Sequence, residues 1–156
     1  MKGFTLIELL VVIAILAVLA TVSVLVLNPA ELIRQGRDST RISDLSTTHS
    51  ALALYLADVA MPDLEGGVVG SCGTDRITAG GTSPMTGLSV VNAVTLTGGT
   101  GWVSVNLNNV SGGSPLSKLP MDPLNSTTNF YAYGCDATAL RYELNANMES
   151  GKYKGG

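Results

Sequence analysis

From Phe4 to Leu27 the chain is a predominantly apolar run whose only charge is Glu8, and this run limits the possible folds more than any other feature. As an α-helix it rises about 36 Å at roughly 1.5 Å per residue, enough to cross a hydrocarbon core of about 30 Å. A carboxylate inside hydrocarbon costs about 2.5 to 3.5 kcal/mol on insertion scales, so such a residue is usually retained for a partner or a task. A secretory signal peptide, with Lys2 as its basic start and cleavage near Val18-Leu19-Ala20, carries an apolar region of about 7 to 15 residues. The run here is longer, and Glu8 has no place in such a signal. A plain single-span anchor fits the length but gives Glu8 no role.

The rest of the chain is small and weakly charged. Its 156 residues, net charge of −3 and 13% charged residues fit a membrane segment followed by one small domain. No basic patch stands out along the sequence, so nucleic-acid binding has no electrostatic footprint. Cys72 and Cys135 both lie beyond the apolar run, where an even count permits one disulfide; two free buried thiols are the alternative.

Asn28-Pro29 interrupts the helical pattern, because Pro29 lacks an N–H and clashes with the preceding turn. The pattern then resumes. Ile42, Leu45, His49, Leu52, Leu56 and Val59 recur at spacings of three and four and predict a second amphipathic helix from about Ala30 to Ala60, ended by Met61-Pro62. Arg34, Arg37, Asp38, Arg41 and Asp44 are spaced for pairing on a solvated helix face. His49, the only histidine, has no second ligand or nucleophile nearby and reads as a packed or interface residue. Gly36 inside the helix marks a close approach or a flexible spot.

Beyond Asp63 the composition shifts to Gly, Ser and Thr, and Gly66 to Gly87 reads as a long connection. Leu88, Val90, Val94 and Leu96 alternate with smaller or polar residues, and Trp102 to Leu107 is alternately apolar after a Gly98-Gly99 turn, so the two runs predict a hairpin. Phe130 to Cys135 is a third strand. The clearest is the fourth, in which Leu140, Tyr142, Leu144, Ala146 and Met148 alternate with polar residues up to Gly151. The resulting expectation is an α+β fold, with one long helix and an antiparallel sheet of about four strands on its outer half.

Gly3, Phe4, Thr5, Leu6, Ile7 and Glu8, followed by the unbroken aliphatic helix, resemble the class III signal of type IV pilins and the related pseudopilins. The resemblance implies a pilin-like fold and cleavage between Gly3 and Phe4 by a membrane prepilin peptidase, which also N-methylates Phe4. It implies Phe4 and Glu8 as the assembly pair, the Glu8 carboxylate neutralising the new Phe4 amine of a neighbouring copy. The implied organisation is a leader at 1–3, a transmembrane and assembly helix at 4–28, an outer amphipathic helix at 29–62 and a sheet-forming domain at 63–156. The implied partners are further copies in a helical filament, the peptidase, the pilus assembly platform with its ATPase-driven machinery, and the membrane before assembly. The location would be the cytoplasmic membrane first and the cell surface afterwards.

The turn Leu119-Pro120-Met121-Asp122-Pro123, followed by an aromatic strand and Tyr142-Glu143-Leu144, resembles the C-terminal region of pilins and major pseudopilins. Two features depart from the family pattern. The proline is at Pro29 rather than near Leu25 or earlier, leaving open whether Ala20 to Val24 unwind in a filament. A Cys72–Cys135 bridge would tie the connection to the sheet rather than close a C-terminal loop.

Catalytic patterns are missing from the sequence: the one histidine has no nucleophile motif around it from which a Ser/His/Asp set could be assembled, and there is no phosphate loop, dinucleotide fingerprint or zinc-ligand spacing. The expectation is a non-enzyme with no cofactor and no metal. Asp122, Asn125 and Asp136 are the oxygen donors nearest to a calcium set but lack its spacing. Asn109-Val110-Ser111 and Asn125-Ser126-Thr127 match the glycosylation sequon, a pattern short enough to arise by chance.

Overall fold

The computed structural model describes residues 3–154. Helix α1 spans Leu6–Leu27 and helix α2 spans Pro29–Asp58. The interruption between them is a single residue. Asn28 adopts a left-handed φ of 41°, which asparagine tolerates better than most residues, and its side chain accepts the Glu31 N–H at 3.4 Å to cap α2. Pro29 then occupies the first helical position, where a missing N–H costs nothing. Residues 20–24 are helical; Thr21 and Ser23 return their hydroxyls to the Ala17 and Leu19 carbonyls, each at 2.9 Å.

Two short helical turns, Ser71–Gly73 and Leu107–Asn109, and four strands follow among the described residues: β1 Asp75–Ile77, β2 Ser89–Val91, β3 Tyr131–Asp136 and β4 Arg141–Ala146. The sheet order is β2-β1-β3-β4. The α+β, pilin-like fold class holds, but the sheet is mixed rather than antiparallel, because β1 and β2 run parallel with Asp75 opposite Ser89. The β3–β4 pair is antiparallel from Tyr131 opposite Ala146 to Asp136 opposite Arg141.

Two sequence expectations fail here. The connection from Gly66 to Gly87 contains β1, whose three residues are too few to produce an alternation. The proposed hairpin is not a pair of strands. Only Ser89–Val91 joins the sheet, and the following chain lies along Trp102 to Leu107 through scattered bonds, such as Trp102 N–H to the Val94 carbonyl at 3.0 Å. The second run supplies the core, with Trp102, Val103, Val105 and Leu107 buried, while Leu88, Val90, Val94 and Leu96 stay exposed.

The core lies between α2 and this irregular layer with the sheet. Trp102 stacks tilted on Tyr131 at 5.8 Å and donates its indole N–H to the Pro120 carbonyl at 2.8 Å, so its polar atom is satisfied in a dry site. Along α2 the buried positions are Asp38, Arg41, Thr48, Ala51, Leu52 and Tyr55, with Leu45, Leu56 and, just past its end, Val59 partly buried. The face is rotated from the predicted stripe: Ile42 and His49 are exposed, and two charged residues take up the lower part of the inner face. The Leu64 carbonyl receives the Ser104 hydroxyl at 2.6 Å and the Tyr133 hydroxyl at 3.1 Å, which fixes the chain leaving the helix. Next to it, a side chain at Gly66 would strike the Ser104 carbonyl, and the φ of 69° there also favours glycine.

Cys72 and Cys135 are joined by a disulfide with their Cα atoms 4.8 Å apart and a sequence separation of 63. It ties the Ser71–Gly73 turn to the end of β3. Closing a loop of that size in the unfolded chain is worth about 4 kcal/mol on entropic grounds. The double variant Cys72→Ser/Cys135→Ser is therefore expected to lose about 2 to 4 kcal/mol in chemical denaturation. An unchanged midpoint would mean that strand pairing holds this connection unaided.

Candidate functional site

At the N-terminal end, Thr5 precedes the first helical turn and Glu8 stands three residues later, the spacing of a capping box. The Thr5 N–H and hydroxyl both donate to Glu8 Oε2, at 2.8 and 2.7 Å, while the Glu8 N–H donates to Thr5 Oγ1 at 3.3 Å. The carboxylate is thus bent back toward the chain start instead of extending sideways. Phe4 is exposed just before the helix, next to Gly3; Met1 and Lys2 of the expected leader lie outside the described residues. The apolar part of the helix is long enough to cross a membrane, and none of it is buried within the chain. In water such a surface would be untenable, since every side chain that a core would cover is left bare.

A second polar constellation lies where the helix enters the domain. Arg41 is fully buried, and its guanidinium reaches Asp122 through Nε at 2.6 Å and Nη2 at 3.0 Å, a two-pronged carboxylate contact. Its Nη1 meets Asp38 at 2.8 Å and Glu149 at 2.6 Å. Arg37 also binds Glu149, through Nε at 2.9 Å. Asp38, itself buried, accepts the Glu149 N–H, the Ser150 N–H at 2.8 Å and the Ser150 hydroxyl at 2.6 Å. Asp122 further accepts the Leu124 and Asn125 N–H groups, closing the turn after Pro120.

These contacts set the protonation states. Burial alone would push the Asp38 carboxyl up, but the Ser150 and Glu149 donors and Arg41 outweigh it and hold it at about 2. Glu149 is likewise held at about 2, chiefly by its bond to Arg37 and then by Arg41, against the opposing effect of burial. Both carboxylates are therefore ionised at any physiological pH, and the cluster fastens α2 to the Leu119–Pro123 turn and to the segment after β4. Tyr131 adds a second tie, donating to Asp44 at 2.7 Å.

The sequence placed Asp38 and Arg41 on a solvated face, and the structure buries both. The usable signal was their phase: 38, 41, 45, 48, 52, 55 and 59 form a single helical stripe, and only the charges disguised its lower end. His49 is exposed, with Nδ1 lying 2.9 Å from the Tyr142 hydroxyl. Gly36 faces open space. Asp122 is committed to Arg41, and Asp136 to the Thr138 and Ala139 N–H groups of its own turn, so these two carboxylates are spent on separate structural tasks.

The model of the prokaryotic N-terminal methylation motif matches residues 1–24. No curated protein and no solved structure matches the chain. The motif covers Gly3, Phe4, Thr5 and Glu8 together with most of α1, the segment whose apolar surface the fold leaves bare. It implies processing by a prepilin peptidase and points to a membrane-anchored structural subunit rather than an enzyme. The chain thus carries, at the head of a pilin-like α+β fold, the class III signal of the type IV pilin and pseudopilin family.

Proposed function

We propose that this chain is the structural subunit of a type IV pilus. It is inserted in the membrane by α1, cleaved between Gly3 and Phe4, methylated on Phe4 and polymerised through packing of its N-terminal helices into a surface filament. The observation that carries this reading is α1 itself, apolar around nearly its whole surface and, among the described side chains, buried by nothing in its own chain, with Glu8 as its one charge. A bilayer covers such a surface before assembly, and neighbouring copies of the same helix cover it afterwards. The Phe4 amine and Glu8 then neutralise each other between neighbours. A second reading, a pseudopilin forming a short filament in type II secretion or DNA uptake, draws on the Leu119–Pro123 turn and shares every step up to filament length.

The expected mature chain begins at N-methyl-Phe4 and lacks Met1 to Gly3. Intact-mass analysis of sheared surface filaments checks this directly. A mature terminus at Thr21, after Ala20, would make the chain an ordinary secreted protein and end the filament reading.

A further inference from the structure

Cations that are far apart in the sequence meet where the domain approaches α1. The Gly151 N–H donates to Glu31 at 2.7 Å, and the Ser150 N–H and hydroxyl are held by Asp38, so the segment after β4 is laced along the first turns of α2. It closes into a turn in which the Tyr153 and Lys154 N–H groups donate to the Ser150 carbonyl at 3.3 and 3.0 Å. Arg34, Asn129, Asn147, Tyr153 and Lys154 line a cleft on this side. Lys152 stands 5.0 Å over the Tyr153 ring.

Of the acids here, Glu149 pairs with Arg37 and shares Arg41 with the buried Asp38 and Asp122, and Glu31 lies 3.8 Å from Arg34 while accepting Gly151. Arg34, Arg37, Arg41, Lys152 and Lys154 thus face Glu31, Asp38, Asp122 and Glu149, a net excess of one positive charge; Asp38 and Asp122 are buried, whereas Arg34, Lys152 and Lys154 are all exposed, so the outward-facing charge is positive.

The level of this cluster follows from helix geometry. Arg34 is seven residues beyond Leu27, about 10 Å along the axis at roughly 1.5 Å per residue. The headgroup layer extends about 5 to 8 Å past the hydrocarbon edge, and a flexible basic side chain covers the remainder. Leu32 and Ile33, both exposed, carry the apolar surface of α1 up to the same level.

We propose that this cleft takes up the phosphate of an anionic phospholipid headgroup in the outer leaflet and so steadies the domain above the membrane before assembly. The proposal rests on the membrane-inserted reading given above. Cations close to an anionic bilayer surface are attracted within about one Debye length, roughly 8 to 10 Å, and each favours the contact about fivefold. Tyr153 adds an amphipathic ring suited to that layer.

The test uses the full chain in vesicles of phosphatidylglycerol with phosphatidylcholine, against phosphatidylcholine alone. A water-soluble amine-acylating reagent reports on each lysine by peptide mass mapping. Rates are normalised to Lys118, which lies in the loop beyond Ser111, a residue bonded to Asp58 at the opposite end of α2. Lys152 and Lys154 are expected to react about fivefold more slowly in the anionic vesicles, with the protection lost at high salt and reduced by Arg34→Gln. Equal rates in the two vesicle types would overturn the proposal, as would equal protection by inorganic phosphate in phosphatidylcholine vesicles, which would assign the cleft to a free anion. Carbonate extraction separates the two readings. A chain that resists extraction but shows equal lysine rates refutes only the headgroup site, whereas a chain stripped from both vesicle types refutes membrane insertion and the headgroup site with it.

Discussion

Replacing Arg41 with methionine is expected to destabilise the folded domain by about 3 to 5 kcal/mol at neutral pH, because it leaves buried carboxylates without their shared cation. Asp122 loses both prongs of its ion pair, Asp38 loses one, and Glu149 is left with Arg37 alone. Methionine keeps much of the stem, so little of the loss is a packing effect. Denaturation of the full chain in detergent, followed through the single tryptophan, Trp102, measures the difference.

Acid supplies a second reading of the same cluster. Asp38 and Glu149 are held at about 2 in the folded chain, below their ordinary values of 3.8 and 4.5. Depressed carboxylates contribute stability above their unfolded values and lose it as the pH falls toward their folded ones. The wild type should therefore weaken mainly between about pH 5 and pH 2, on the order of 2 kcal/mol for each carboxylate. Without Arg41 the carboxylates protonate more readily, and once neutral they no longer need a cation. The gap between wild type and Arg41→Met should consequently narrow as the solution is acidified toward pH 3. A gap that stays constant with pH would mean that Arg41 matters for its volume and not its charge.

How far the fold could be read in advance depended on how much of each element's stability was local. The α1 segment was legible because a long apolar run has few destinations, and Asn28-Pro29 marked its end because an asparagine suited to the left-handed region and a proline suited to a first helical turn stand side by side. Strand β4 was legible because one face is solvated and the alternation survives. Strand β1 was not. It has three residues, begins with the buried Asp75 held by the Thr86 N–H and hydroxyl, and gains its place from neighbours on both sides. The parallel β1–β2 pairing is equally silent in local pattern, since alternation fixes a face but not a direction. The ion cluster was hidden for a related reason: its members are separated by up to 112 positions between Arg37 and Glu149, and a buried charge looks like a surface charge until its partner is placed.

Glu8→Ala and Glu8→Gln are both expected to leave the subunit inserted in the membrane and cleaved at Gly3/Phe4, yet absent from sheared surface filaments. Removing a carboxylate from a membrane helix eases insertion, so loss at that stage is not the anticipated defect. The defect is expected in the filament core, where helices exclude water and an unpaired Phe4 ammonium or Glu8 carboxylate would carry an uncompensated charge. Both Thr5 donors act on Glu8 Oε2, so Oε1 can receive a neighbour's amine without the helix cap being broken. Glutamine keeps the size and some hydrogen bonding but supplies no counter-charge, which makes it the sharper test of the two. The comparison requires equal membrane abundance, with the subunit quantified in membrane and sheared fractions of cells making only the variant. Normal filament yield from both variants would remove Glu8 from assembly. The apolar helix would then be only an anchor for the domain it carries.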